Sequence, residues 1–155
     1  MKLLFKERLF SWLDSYDVYD EEGAVAFTVK GRLALGHCLE IYDKYGEHVG
    51  TVKEELLTLL PRFAIYKGDT YIGEIRKKLS FLRPVYTLDY SDWEVQGNIW
   101  EWDYRVTNGL GQEVLYVSKQ LFNFTDTYIL ELSDPQNTLL SLMIVLAIDA
   151  AQCSN

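Results

Sequence analysis

The amino-acid sequence predicts a mainly β fold: about twelve antiparallel strands closed into a barrel around one apolar C-terminal helix. Three observations point there. A strand-turn-strand phrase recurs along the chain, the recurrences are nearly evenly spaced, and a single apolar segment near the end breaks the pattern. The 155 residues suffice for one domain with one continuous core, and 1–155 is read as that domain.

The recurring phrase is an aromatic or Leu, then a β-branched or Leu residue two positions on, often followed by Tyr-Asp. Its anchors are Tyr16, Leu39, Phe63, Tyr86, Tyr104 and Tyr128, at successive spacings of 23, 24, 23, 18 and 24 residues. Within each phrase apolar residues alternate with others, the period of a half-buried strand. Turn formers follow. Asp20-Glu21-Glu22-Gly23 and Asp43-Lys44-Tyr45-Gly46 place Asp first and Gly fourth, as a type I turn prefers, while Lys67-Gly68-Asp69-Thr70 and Asn108-Gly109-Leu110-Gly111 supply other turn residues.

A second β-prone stretch follows the turn: Ala26 to Lys30, Val49 to Lys53, Ile72 to Arg76 and Val114 to Lys119. Each unit is therefore a hairpin. With an opening strand around Leu3 to Glu7 and another around Trp93 to Ile99, six units make about twelve strands. A sheet of that width curls or closes to protect its edges. Propeller blades would need four strands and a period of about 40 residues.

From Leu139 to Ile148 the text is almost wholly apolar, and Asp134-Pro135 is a good helix start. A helix over about 135–151 is predicted. An apolar segment of roughly 13 residues is short of the about 20 that span a bilayer. A helix apolar on all sides must be surrounded on all sides, which a closed barrel provides. Small Ala147, Ala150 and Ala151 suit the narrower part of the lumen, and the filled interior leaves no room for a large ligand.

Fifteen Lys and Arg against 23 Asp and Glu give a net charge of -8, which repels nucleic acid backbones at long range. Cys38 and Cys153 are too few for a disulfide framework and fit a reducing cytoplasm. Lys6, Glu7 and Arg8 interrupt the apolar start before a signal peptide forms. Asn123-Phe124-Thr125 matches the glycosylation pattern by chance.

The phrases together resemble the LURP-one-related proteins in their short bacterial form, within the tubby C-terminal-like group that includes phospholipid scramblases. The resemblance spans the chain. It rests on Phe10-Ser11-Trp12 with Tyr16, Leu39-Glu40-Ile41-Tyr42-Asp43, Phe63-Ala64-Ile65-Tyr66, and Lys77-Lys78-Leu79-Ser80-Phe81 before Pro84 and Tyr86. Trp93-Glu94-Val95-Gln96-Gly97, Ser133-Asp134-Pro135 and Leu146-Ala147-Ile148-Asp149 complete it. The resemblance implies a twelve-stranded barrel around a central helix, and no catalytic site. Tubby domains in the wider group bind phosphoinositide head groups through basic side chains, and scramblases associate with membranes. This chain departs from them in being acidic and in having no membrane segment after the central helix.

No residue pattern announces an enzyme or a cofactor. Gly-x-Ser-x-Gly, Cys-x-x-Cys and His-Glu-x-x-His are absent, and Gly109-Leu110-Gly111 has Val114 where a dinucleotide loop needs its third Gly. His37-Cys38 is too little for zinc, and Cys38 reads as a small core residue. Asp14, Asp17, Asp20, Glu21 and Glu22 lack calcium-hand spacing. Trp100, Trp102 and Tyr104 alternate as on one strand face and offer either a ligand platform or ordinary packing, with Glu101 and Asp103 as nearby acids. Arg76, Lys77, Lys78 and Arg83, with Arg62 and Lys67, concentrate positive charge and form the candidate anion or lipid head-group site. Such strand-edge cations also serve simply to block aggregation. The function expected is a non-enzymatic cytoplasmic interaction or scaffold module, with binding of anionic head groups or phosphates as the alternative.

Overall fold

A computed structural model describes residues 1–6, 15–80, 84–89, 91–122 and 125–153. Asp14, Arg83, Asn123, Phe10-Ser11-Trp12 and Phe81 lie outside those residues. The twelve strands are β1 (Lys2–Lys6), β2 (Ser15–Tyr19), β3 (Val25–Ala34), β4 (Gly36–Asp43), β5 (His48–Glu54), β6 (Arg62–Lys67), β7 (Thr70–Lys78), β8 (Val85–Leu88), β9 (Glu94–Asn98), β10 (Asp103–Thr107), β11 (Glu113–Phe122) and β12 (Thr125–Leu132). Each pairs antiparallel with its sequence neighbours, and β12 closes on β1 through five register pairs from Lys2↔Glu131 to Lys6↔Thr127.

The six repeat anchors occupy the even-numbered strands. Five of them form a hairpin with the strand that follows, whereas the sixth, β12, takes the first strand of the chain as its partner. Closure is thus the last repeat completed by the N-terminus, which removes both edges of the sheet. In four units the register shifts two residues past the anchor, at Val18/Tyr19, Ile41/Tyr42, Ile65/Tyr66 and Val106/Thr107. A bulge there bends the strand and adds the twist that closure needs.

Three turns share one hydrogen-bond scheme. Asp20 Oδ1 accepts from the Glu22 and Ala24 amides, Asp43 Oδ1 from Tyr45 and Glu47, and Asn108 Oδ1 from Leu110 and Gln112. Gly23, Gly46 and Gly111 then take positive φ, the conformation that lacks a Cβ penalty. The Asn108 turn therefore belongs with the two Asp turns.

Anchor side chains Leu39, Phe63, Tyr86, Tyr104 and Tyr128 and the residues two positions on, Ile41, Ile65, Leu88, Val106 and Leu130, point into the core. The core is filled by α1 (Thr138–Cys153). Asp134 caps its lead-in by accepting from the Gln136 amide, but Pro135–Asn137 is a 3₁₀ turn and the α-helix proper begins at Thr138, three residues beyond the expected start. From Ser141 to Ala151 every residue is buried. Each fully buried Leu, Ile, Val or Met contributes about 1.5–3 kcal/mol. At Gly50 wall and helix approach closely: an added Cβ would meet Tyr66 O at 3.2 Å and Leu139 Cδ1 and Met143 Sδ at 3.3 Å.

The helix gives the barrel two unlike ends. Thr138 starts at the end with the tight turns, and the last turn of α1 lies at the other, beside the connection between β9 and β10. These are called the entry end and the exit end.

Candidate binding sites at the exit end

Within the expected basic cluster, Arg76 and Arg62 are engaged with carboxylates of the protein. Arg76 Nε lies 2.7 Å from Glu74 Oε2, and its Nη2 is 3.4 Å from Asp89 Oδ2. Arg62 reaches Glu74 Oε2 at 3.6 Å and Glu55 Oε2 at 3.9 Å. Two guanidiniums thus sit among three carboxylates. Burial is the strongest single influence and raises the Glu74 carboxyl, but the hydrogen bonds with Arg76 and Glu55 and the charges of Arg76 and Arg62 together outweigh it and the pKa falls. Glu55 is raised by burial and then by Glu74. The group ties β6, β7 and the segment after β8 together.

Strand geometry scatters the rest. Lys67 ends β6 at the entry end and Lys78 ends β7 at the exit end. Lys77 has the opposite parity to Arg76 and Lys78 and is half-buried. Neither Lys77 nor Lys78 joins an ion pair among the described residues. Lys78 borders a groove of about 440 Å³ with Pro84, Thr87 and Gln96, where β8 and β9 share the single register pair Thr87↔Glu94.

The tryptophans are arranged otherwise than strand alternation suggests. Trp100 lies in a 3₁₀ turn, Ile99–Glu101, and Trp102 follows it in the left-handed region at φ 55°, so that only Tyr104 is on β10. The three nevertheless converge. With Ile99, Ile148, Asp149 and Gln152 they line a cavity of about 20 Å³, room for one water-sized group. Trp102 is held by Tyr128, ring centroids 4.3 Å apart. The Tyr86 hydroxyl donates to Gln152 Oε1 at 2.9 Å. The Tyr104 hydroxyl, on a residue 1% exposed, has no hydrogen-bond partner among the described residues. Burial first, and the Asp149 charge second, push the Tyr104 and Tyr16 hydroxyls well above the usual tyrosine range. Glu101 and Asp103 do not line the cavity, and Asp103 instead accepts from the Tyr116 hydroxyl at 2.9 Å. The expected pair of acids near the tryptophans is replaced by one, Asp149 from the helix.

The remaining polar residues are occupied locally. His37 Nδ1 lies 2.7 Å from Glu54 Oε2, and burial draws its pKa down. Cys38 is buried, and burial raises its thiol. Asp20 caps its own turn. Among the described residues no group of three or more His, Cys, Asp and Glu could hold a metal ion.

Sequence reasoning missed one feature. Leu35 in the β3–β4 turn, Leu56, Leu57 and Leu59 between β5 and β6, and Leu79 after β7 are exposed, as are Trp100 and Leu121. Every one of those positions is on a connection or strand end at the exit end. Leu57 is fully exposed at φ 61°, a conformation costly for a branched side chain. The run Glu55-Leu56-Leu57-Thr58-Leu59-Leu60-Pro61 was visible as apolar text between two strands. The entry-end turns carry Asp20, Glu21, Glu22, Asp43, Glu47 and Asp69 against Lys44 and Lys67, and they expose Tyr45 and Leu110.

A closed antiparallel barrel around an apolar helix, with exposed leucines on three connections at one end, defines a helix-filled barrel class. Within it, the chain belongs to the LURP-one-related family, whose model matches residues 1–149. It is similar to the uncharacterized protein YxjI of Bacillus subtilis (strain 168), 29% identical over 150 residues that cover 96% of this chain and 92% of that one. The X-ray structure of a protein from Arabidopsis thaliana shares the fold at a TM-score of 0.64 and 15% identity, over 96% of this chain and 91% of that one. No helix among the described residues is long and apolar enough to cross a membrane.

Proposed function

We propose that this barrel is a non-enzymatic, cytoplasmic interaction module that engages its partner through the exit end. The observation that carries the reading is the row of exposed leucines on three separate connections, Leu35, then Leu56, Leu57 and Leu59, then Leu79. Scattered exposed apolar residues need no explanation, but a group on one end of a protein otherwise rich in surface acid marks a contact surface. A backbone that holds Leu57 outward at positive φ adds to this, since such conformations persist where something else requires them. The rigid barrel serves as the mount.

The test is affinity capture followed by reconstitution with the purified partner, using the native chain and a Leu57→Ser/Leu59→Ser/Leu79→Ser variant. Direct binding that is weakened at least tenfold in the variant, with unfolding midpoint unchanged, supports the proposal. Binding that survives the triple substitution overturns it.

A second reading, recognition of anionic lipid head groups or phosphates, is favoured by Lys77 and Lys78, which lie at the same end without ion pairs among the described residues. Arg76 contributes little to it, being held by Glu74 and Asp89. Salt-sensitive co-sedimentation with anionic vesicles, lost in Lys77→Ala/Lys78→Ala and retained in Arg76→Ala, would support this reading. Absence of binding at low salt, where attraction is strongest, would remove it.

A further inference from the structure

We propose that the seam between β8 and β9 receives an extended peptide of a partner protein, which enters from the exit end and pairs with both strands. The inference rests on the reading of the barrel as an interaction module and names the form its partner takes, at a place apart from the leucines.

Pairing along this seam stops early. β8 and β9 meet in the single register pair Thr87↔Glu94, whereas β7 with β8 keeps four pairs and β9 with β10 keeps five. From that pair toward the exit end, the facing positions Tyr86 and Val95, Val85 and Gln96, and Pro84 and Gly97 form no register pair. Those six residues, with Thr87, Glu94 and Lys78, line the groove of about 440 Å³. Missing pairing and open space thus coincide. Strand alternation tells which backbone groups face the gap. The Asp89 amide donates to Glu74 O on β7 at 3.2 Å, so Thr87 and Val85, of the same parity, also turn to β7, and Tyr86 and Pro84 turn to the gap. Val95 and Gly97 face them from β9. Pro84 has no N–H to leave unpaired, and within sheets proline is confined to such edges.

Open strand edges are templates for another strand. A peptide laid between β8 and β9 satisfies backbone groups on both its sides, and main-chain bonds of this kind supply the affinity in peptide recognition by strand addition. Charge selects within that class. Lys78 stands at the exit-end mouth and joins no ion pair among the described residues, while Glu94 marks the closed end. A peptide with a carboxylate where it leaves the groove, and none where it meets Glu94, fits both.

The experiment has two arms. Amide hydrogen exchange of the free full chain, read by NMR, tests the seam itself. The Tyr86 amide is expected to exchange at least about tenfold faster than those of Val85 and Thr87, although its side chain is only 1% exposed. Equal protection at the three positions means that the seam is paired, and overturns the proposal. The second arm pans phage-displayed random heptapeptides against the full chain and titrates the selected peptide, made synthetically. Binding should weaken at least tenfold in Gln96→Trp, which sets a ring at an exposed position of the groove. Lys78→Glu, which reverses the charge at the mouth, should weaken it similarly and keeps the proposal testable if Gln96→Trp does not fold. N-methylation at either of two adjacent central amides of the peptide should also weaken binding, because a strand with neighbours on both sides uses both. Loss at only one of the two overturns pairing with both strands. Failure to select any peptide, or native affinity in both groove variants, overturns the proposal. The Leu57→Ser/Leu59→Ser/Leu79→Ser variant should bind the peptide as the native chain does. Binding lost there and kept in the groove variants overturns the seam and leaves the interaction-module reading standing.

Discussion

At Gly97 the backbone has φ +120°, and a Cβ would lie 2.7 Å from Asp103 O and 2.8 Å from Tyr104 Cα. Both contacts are to backbone and cannot be relieved by a rotamer change. Gly97→Ala is expected to cost about 1–3 kcal/mol or more, read as a lower urea midpoint. Glu40 provides a pH-dependent case. The Tyr42 hydroxyl donates to it at 2.7 Å and Arg32 Nη1 at 2.9 Å, and these outweigh the opposing effect of burial, so its pKa falls below the usual carboxylate range. A depressed carboxylate stabilises the fold above its unfolded pKa, about 4.3, and that contribution is lost as pH falls through the lower folded value. Glu40→Gln should therefore flatten the acid limb of a stability-against-pH curve while lowering stability at neutral pH. An unchanged acid limb would contradict the assignment.

The turns and the central helix show how much of each element was legible in the text. Asp20 and Asp43 followed three residues later by Gly were sufficient to predict type I turns, because the capping oxygen and the positive-φ glycine are both local. Asn108-Gly109-Leu110-Gly111 reads in the sequence as a turn of no stated type, although Asn108 with Gly111 meets the same requirement. Asp43→Ala should cost about 1 kcal/mol by losing two backbone hydrogen bonds, and Asp43→Asn should cost much less, since Asn108 does the same job. In α1, Leu142 is fully buried within the barrel. Leu142→Ala is expected to cost about 2–5 kcal/mol, measured by chemical unfolding. The opening 3₁₀ turn at Pro135–Asn137 was not legible, since Asp134-Pro135 caps either kind of helix equally well.

Across the whole molecule, most exposed leucines lie on the exit-end connections and strand ends, while the entry-end turns carry mainly acids and also expose Tyr45 and Leu110. The Leu57→Ser/Leu59→Ser/Leu79→Ser variant should keep its stability within about 0.5 kcal/mol, because those side chains bury little on folding. Its retention on a hydrophobic-interaction column should nevertheless fall clearly. A drop in stability instead would mean that the leucines pack on the barrel and are not a contact surface.

The sequence by itself determined the strand count, the hairpin order and the apolar helix, because alternation, turn chemistry and all-round hydrophobicity are properties of neighbouring residues. It also carried enough of the repeat phrases to reveal the family. Tertiary structure decided the rest. Whether Arg76 is a free cation or a partner of Glu74 and Asp89 depends on which side chains share a strand face and which segment comes alongside. Whether Trp100, Trp102 and Tyr104 meet Asp149, whose nearest member lies 45 residues away in sequence, depends on a helix threading the lumen to the far end. The common end of the leucines is likewise a product of closure: an up-and-down barrel sends alternate connections to the same end, so residues separated along the chain become one surface.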